Sequence, residues 1–260
     1  MLFSSPLAAA PAPAPASTAP AWIKDRLAYF DDPRFSFDPE PHEYRLGERL
    51  MTSCTSWVKQ YKEPFDGPAI AASLSLRRGC PAAEVLAEWE RAGWVGTRTH
   101  EFIENYYNHG IQLTGEEDPE VHLRCEKFMA LHFARLYRFE PIAQELRVFH
   151  EGLGVCGTLD YLGWHKEKQE LWVLDHKTSK KIGTDQDSTW RRMFGPFADL
   201  WDHEHNVYSL QISLYRLMLE AQFIPTAGGA ICWLPGGDAP AQVIPAIDYR
   251  ARLRALLLLK

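Results

Sequence analysis

Leu171-Trp172-Val173-Leu174 is an unbroken apolar run that ends in Asp175-His176-Lys177. The polar stretch His165-Lys166-Glu167-Lys168-Gln169 precedes it, so the run reads as a short strand entered from a turn. Side chains alternate faces along a strand, which sends Asp175 and Lys177 to one face and His176 to the other. The apolar lead-in places this Asp-x-Lys at the end of a buried strand, whereas an isolated Asp-x-Lys is ordinarily a surface ion pair.

Two further strands are expected just upstream, over Ala143–His150 and Val155–Trp164, with Gly152 and Gly154 at the turn between them. Asp160 lies on the second of these. If that strand pairs with Glu170–Lys177, Asp160 meets Asp175 at the end of the sheet. Two carboxylates at one point repel each other and are costly to desolvate together. A hard divalent cation relieves that repulsion, and oxygen ligands suit Mg²⁺ or Mn²⁺. Such an ion polarises a phosphoryl oxygen and acidifies water. Lys177 is then placed to orient the water or to stabilise developing charge, and the backbone carbonyl of His176 to add a ligand.

The rest of the chain suits an α/β fold. Phe35-Ser36-Phe37 and His42–Leu46 read as short strands turned by Gly47, and Ser53 as the cap of a helix near Thr55–Tyr61. Helices are expected from Pro68 to Asn108, broken at Gly79-Cys80-Pro81 and at Gly93, and from Pro119 to Tyr137. Beyond the three strands come a helix at Asn206–Phe223, strands at Ala227–Leu234 and Gln242–Ile247, and a closing helix at Tyr249–Leu259. Residues 1–21 hold an Ala/Pro-rich tract unable to bury apolar surface and are expected to be a disordered tail. Residues 22–260 are expected to form one domain, with a helical part at about 55–138 and a sheet core at about 143–247.

The 260 residues carry a formal net charge of -6, which weighs against a protein that coats DNA but leaves room for a local basic groove. The five cysteines lie apart in sequence with no Cys-x-x-Cys, which fits a reducing compartment and a cytoplasmic location. No apolar run reaches membrane-spanning length, so no membrane association is expected.

The order of motifs resembles a known family. Gly157-x-x-Asp160 followed by Asp175-x-Lys177 is similar to the core of the PD-(D/E)XK nuclease superfamily, in its RecB-like exonuclease branch. Gly96-Thr97-Arg98-Thr99-His100 resembles that branch's helical Gly-Thr-x-x-His motif, whose histidine joins the metal shell. Glu145 resembles its extra acidic position, and Gln211-Ile212-Ser213-Leu214-Tyr215 its Gln-x-x-x-Tyr helix. The likeness runs from about His42 to Phe223 and, within the branch, looks like phage-type and mitochondrial genome-maintenance exonucleases. No Pro precedes Asp160, as the family name would have it. The resemblance implies a restriction-endonuclease-like core with a mixed sheet flanked by helices and N-terminal helical elements. It implies a Mg²⁺- or Mn²⁺-dependent DNA exonuclease serving replication, recombination or repair, with Asp160, Asp175 and Lys177 catalytic. His100 joins Asp160, Asp175 and His176 as metal ligands. Glu145, Gln211 and Tyr215 support them, the last two by holding Lys177 and the substrate backbone. The iron–sulfur subfamily needs a cysteine cluster after the Gln-x-x-x-Tyr helix. Only Cys232 lies there, so no iron–sulfur cluster is expected.

Thr178, Lys180, Lys181 and Arg191 follow Lys177 in a segment containing Trp190, Phe194, Phe197 and Trp201. Basic residues interleaved with aromatics grip phosphates and stack bases, although aromatics in a long loop also serve simply to pack on the core. Three alternatives stay open on the residues alone: an endonuclease, an inactive nucleic-acid-binding module of the same fold, and a scaffold with a coincidental Asp-x-Lys.

Overall fold

The computed structural model describes residues 17–115, 117–183 and 191–257. Among these, β1 (Phe35–Asp38), β2 (Glu43–Leu46) and β3 (Arg49–Ser53) form an antiparallel meander. Ser53 then caps α2 (Cys54–Lys59), its side-chain oxygen accepting from the Ser56 amide. The helices α3 (Gly67–Arg78) and α4 (Ala82–His109) follow, with Gly79 in the left-handed conformation between them. Gly93 does not break α4, which also runs through Gly96: each glycine inside the 28 helical residues costs only about 1 kcal/mol. After α5 (Pro119–Ala134) come β4 (Phe139–His150), β5 (Val155–His165) and β6 (Glu170–Lys177). A segment from 178 onward then leads to α6 (Glu204–Ala221), β7 (Gly228–Trp233), β8 (Gln242–Pro245) and α7 (Arg250–Leu257). The short α1 (Trp22–Leu27) lies ahead of the meander. Most of the expected tail lies outside the described residues; Ser17 and Thr18 bond to Glu140.

All eight strands join one mixed sheet, so the fold is α/β with a central mixed sheet flanked by helices. The sheet reaches further toward the N-terminus than the expected core at 143–247, because β3 pairs in parallel with β5 through Thr52 and Ser53. A strand has two edges, and β4 occupies one edge of β5 along its whole length. The other edge changes partner: β6 pairs with residues 161–165, β3 with 155–156. Residues 157–160 lie in the fork between them, and Asp160 is the last of these.

The two faces carry separate cores. Leu171 and Val173 of β6 join a core with Leu210, Ile212 and Tyr215 of α6. Leu174 instead joins Phe102 of α4 and Phe128 of α5. That alternation is the period-two pleat expected of β6. On β5 the pleat is interrupted: Leu159 faces the first core and Tyr161 the second, although they are two residues apart. The irregularity centres on Asp160, and the position across from it on β4, Glu145, has a positive φ of 45°. A non-glycine residue held there costs on the order of 1–3 kcal/mol and persists only where its surroundings enforce it.

Candidate metal centre and active site

The fork in the sheet builds the site. The β5–β6 ladder ends at the Tyr161–Leu174 pair. The next amide on β6 that points toward β5 is that of His176, and no ladder partner remains for it. Asp160 supplies one: its Oδ2 accepts from the His176 amide at 2.7 Å. One carboxylate thus closes the ladder and is anchored at the mouth of the fork.

Three side chains from three elements meet here. His100 on α4 lies with its Nδ1 3.6 Å from Asp160 Oδ2 and 3.8 Å from Glu145 Oε1. One donor atom from each of His100, Glu145 and Asp160 falls within 4.8 Å of the others. Octahedral ligands about 2.1 Å from a small cation stand roughly 2.9 Å apart when adjacent and about 4.2 Å when opposite. The two His100 spacings lie between those values, so the three residues could hold a divalent ion. Two carboxylates and one imidazole nitrogen are a donor set that could hold a divalent cation.

Asp175 lies within reach of the charges of Asp160 and His100. It lies outside that close group and is 1% exposed, with Lys177 Nζ 2.5 Å from its Oδ2. Its Oδ1 has no hydrogen-bond partner among the described residues. Burial drives its pKa up to about 6, with the charge of Asp160 adding to the rise and Lys177 opposing it. An uncompensated oxygen at such a place is costly unless something positive approaches it. Burial and Asp160 likewise raise Glu145. Burial works against charge on His100, yet Asp160 and Glu145 outweigh it and hold the imidazole pKa above its usual value. Asp160 moves the other way: burial is overcome by His100, Lys177 and the His176 side chain and amide. Burial also works against charge on Lys177, but Asp175 and Asp160 prevail and keep it cationic. The group is therefore acidic and only partly compensated by its own cations.

His176 bonds to Asp160 through its backbone amide. Its ring is 1% exposed, 5.8 Å from Phe128 and 6.1 Å from His100, and burial lowers its pKa to about 3. The neutral ring fills the space between α4, α5 and the sheet, while the amide fixes Asp160.

Gln211, Tyr215 and Tyr208 lie on α6. Gln211 and Tyr215 bond to each other, Nε2 to hydroxyl, at 2.9 Å. The ring over Lys177 belongs to Tyr208, one helical turn or so earlier, with Nζ 5.1 Å from its centroid. The strap after Lys177 is pinned by Leu234, whose amide donates to the Lys177 carbonyl, and by Trp233, whose indole donates to the Ser179 carbonyl. Sequence periodicity gave Trp233 no such part, since nothing local marks it.

The motif glycines have packing reasons. A Cβ on Gly157 would sit 2.8 Å from Cε1 of Tyr215, and one on Gly96 would sit 3.1 Å from Oγ1 of Thr178. Tyr215 is 3% exposed and its ring has nowhere to move. We expect Gly157→Ala to destabilise the fold by about 1–3 kcal/mol through overpacking, read from urea unfolding. Gly96→Ala should cost less, because a hydroxyl can turn aside. Equal stability of wild type and Gly157→Ala would contradict this packing.

Lys180, Lys181 and Arg191 are exposed. Trp190 lies outside the described residues. Phe197 is fully buried, 5.1 Å from Tyr61, and so belongs to the core, whereas Phe194 is 44% exposed. Trp201 carries the Arg192 guanidinium 3.5 Å above its ring. The segment thus divides between packing and surface.

Among the described residues, no helix is long and apolar enough to cross a membrane. No protein-family model matches the chain, and no curated protein is similar to it.

Proposed function

We propose that the chain is a Mn²⁺- or Mg²⁺-dependent phosphodiesterase acting on DNA, of the PD-(D/E)XK type, with exonuclease action as its form. The observation that carries this reading is the convergence of Asp160, Glu145 and His100 at the fork of the sheet, with the buried Asp175–Lys177 pair on the adjoining strand. His100, Glu145 and Asp160 would hold the ion, and Asp175 lies next to them with an oxygen to spare. When bound, the ion would supply Lewis acidity toward a phosphoryl oxygen and toward water.

The chain's own residues do the rest. Lys177 stays charged and is only 18% exposed, so its ammonium can hold an attacking water or meet the growing negative charge on phosphorus. Asp175 fixes the amine in place, and Tyr208 covers it. Asp175, whose burial raises its pKa to about 6, is suited to pass a proton near neutrality. The His176 amide keeps the Asp160 carboxylate from rotating.

The test uses end-labelled linear DNA with purified protein and Mn²⁺. Degradation should occur with Mn²⁺, stop with chelator, and be lost in Asp160→Asn. Asparagine keeps an acceptor for the His176 amide, so that variant should fold. DNA left intact by the wild type, or degraded equally by Asp160→Asn, would remove the assignment.

A further inference from the structure

Beside Glu145 the surface opens into a cleft of about 650 Å³. Its lining includes Asp31, Phe37, Glu104, Gln144, Glu145 and Arg147. We infer that this cleft is a base-reading subsite, which seats the nucleobase next to the scissile phosphate and prefers bases bearing an exocyclic amine. The inference rests on the phosphodiesterase reading above and deepens it.

Position comes first. Glu145 belongs both to the donor group with His100 and Asp160 and to the wall of the cleft. A phosphodiester held at the donor group therefore has its neighbouring nucleoside at the entrance. The volume suits a ligand of nucleotide size.

Charge then selects which part of the nucleotide enters. Asp31 and Glu104 have no ion-pair partner among the described residues, and Glu145 is acidic as well. Asp32 also borders the cleft, but Arg34 holds its carboxylate at 2.7 Å. Against these stands one cation, Arg147. A second phosphate would be repelled by that excess of carboxylates, whereas a neutral base would not.

The walls suit a base. The guanidinium of Arg147 lies 5.6 Å from the centroid of Phe37, and Phe37 in turn packs 4.5 Å from Tyr44. Aromatic rings and guanidinium planes are the surfaces on which unstacked bases lie. Carboxylates accept from the amines of cytosine, adenine and guanine; thymine offers a methyl group and a ring N–H instead.

A randomised single-stranded DNA pool is cut with Mn²⁺ under single-hit conditions and the new ends are sequenced. Thymine should be depleted about two- to tenfold at one nucleotide flanking the cut, the range that one net hydrogen bond supplies. Asp31→Ala combined with Glu104→Leu should flatten the bias. Phe37→Leu, which keeps bulk and removes the ring face, should raise KM with kcat little changed. Flat base composition in the wild type, or a bias that survives in the variants, would overturn the inference while leaving phosphodiester cleavage intact. A change in Mn²⁺ dependence of the Asp31/Glu104 variant without a change in base bias would assign the cleft to a second cation instead, and so overturn it too. No cleavage at all by the wild type would overturn the phosphodiesterase reading and this inference with it.

Discussion

Lys177→Met is expected to lower single-turnover cleavage in Mn²⁺ by about 10²–10³-fold or more, the usual loss when one charge-stabilising group is removed. The same substitution should also destabilise the fold, because it leaves Asp175 buried without its cation. Asp175 is 1% exposed and Lys177 Nζ is 2.5 Å from it. Breaking a buried pair by removing one partner costs about 3–5 kcal/mol, whereas replacing both partners by uncharged groups is often close to neutral. The two effects can therefore be separated. Asp175→Asn combined with Lys177→Met should recover most of the lost stability in urea and none of the cleavage. Recovery of both would make the pair a structural ion bridge and place the chemistry elsewhere. Failure to recover stability would mean that the Asp175 environment depends on charge beyond Lys177, with Asp160 as the nearest candidate.

What could be read from the residues follows a physical line. Strands β4, β5 and β6, the Ser53 cap and α6 were legible because period and turn chemistry are local. The face assignment within β6 followed from the pleat alone: Leu174 and the His176 ring lie toward α4 and α5, and Lys177 lies against Tyr208. The strand β3 was missed, since Arg49–Ser53 has little apolar pattern of its own and is held by its partners on either side. The fork at residues 157–160 could not be read at all. It exists because β3 and β6 share one edge of β5, a matter of register between segments about a hundred residues apart. The left-handed φ of Glu145 belongs to the same class: nothing in Gln144-Glu145-Leu146 announces it, and it arises where the pleat of β5 is interrupted. The acidic pair expected to share one ion, Asp160 with Asp175, appears as two linked halves. Asp160 stands with His100 and Glu145, and Asp175 with Lys177.

Those two halves respond to pH in a way that metal binding should reverse. Glu145 and Asp175 have folded-state pKa values above their ordinary ones, Asp175 up to about 6. A raised folded pKa contributes stability that is present at low pH and lost as pH rises through the folded value. His100, also raised, acts in the same direction from its ordinary 6.5 upward. Asp160, lowered below 3.8, acts oppositely and loses its contribution only in stronger acid. Metal-free protein should therefore lose stability from these groups as pH rises from about 4 through 6 and beyond. A divalent ion needs its donors His100, Glu145 and Asp160 deprotonated, so its affinity must fall as acid protonates His100 and Glu145, whose pKa values are raised. With Mn²⁺ at about 100 times its Kd, binding adds roughly 2.7 kcal/mol, or about 5–10 °C in Tm for a chain of this size. We expect that shift at pH 7.5, little or none at pH 5, and none at either pH for Asp160→Asn. The shift should need no DNA, so it reports on the donor group independently of turnover. An equal Tm shift at pH 5 and 7.5 would mean that the ion binds groups already ionised in acid, such as exposed carboxylates, rather than the raised set at the fork.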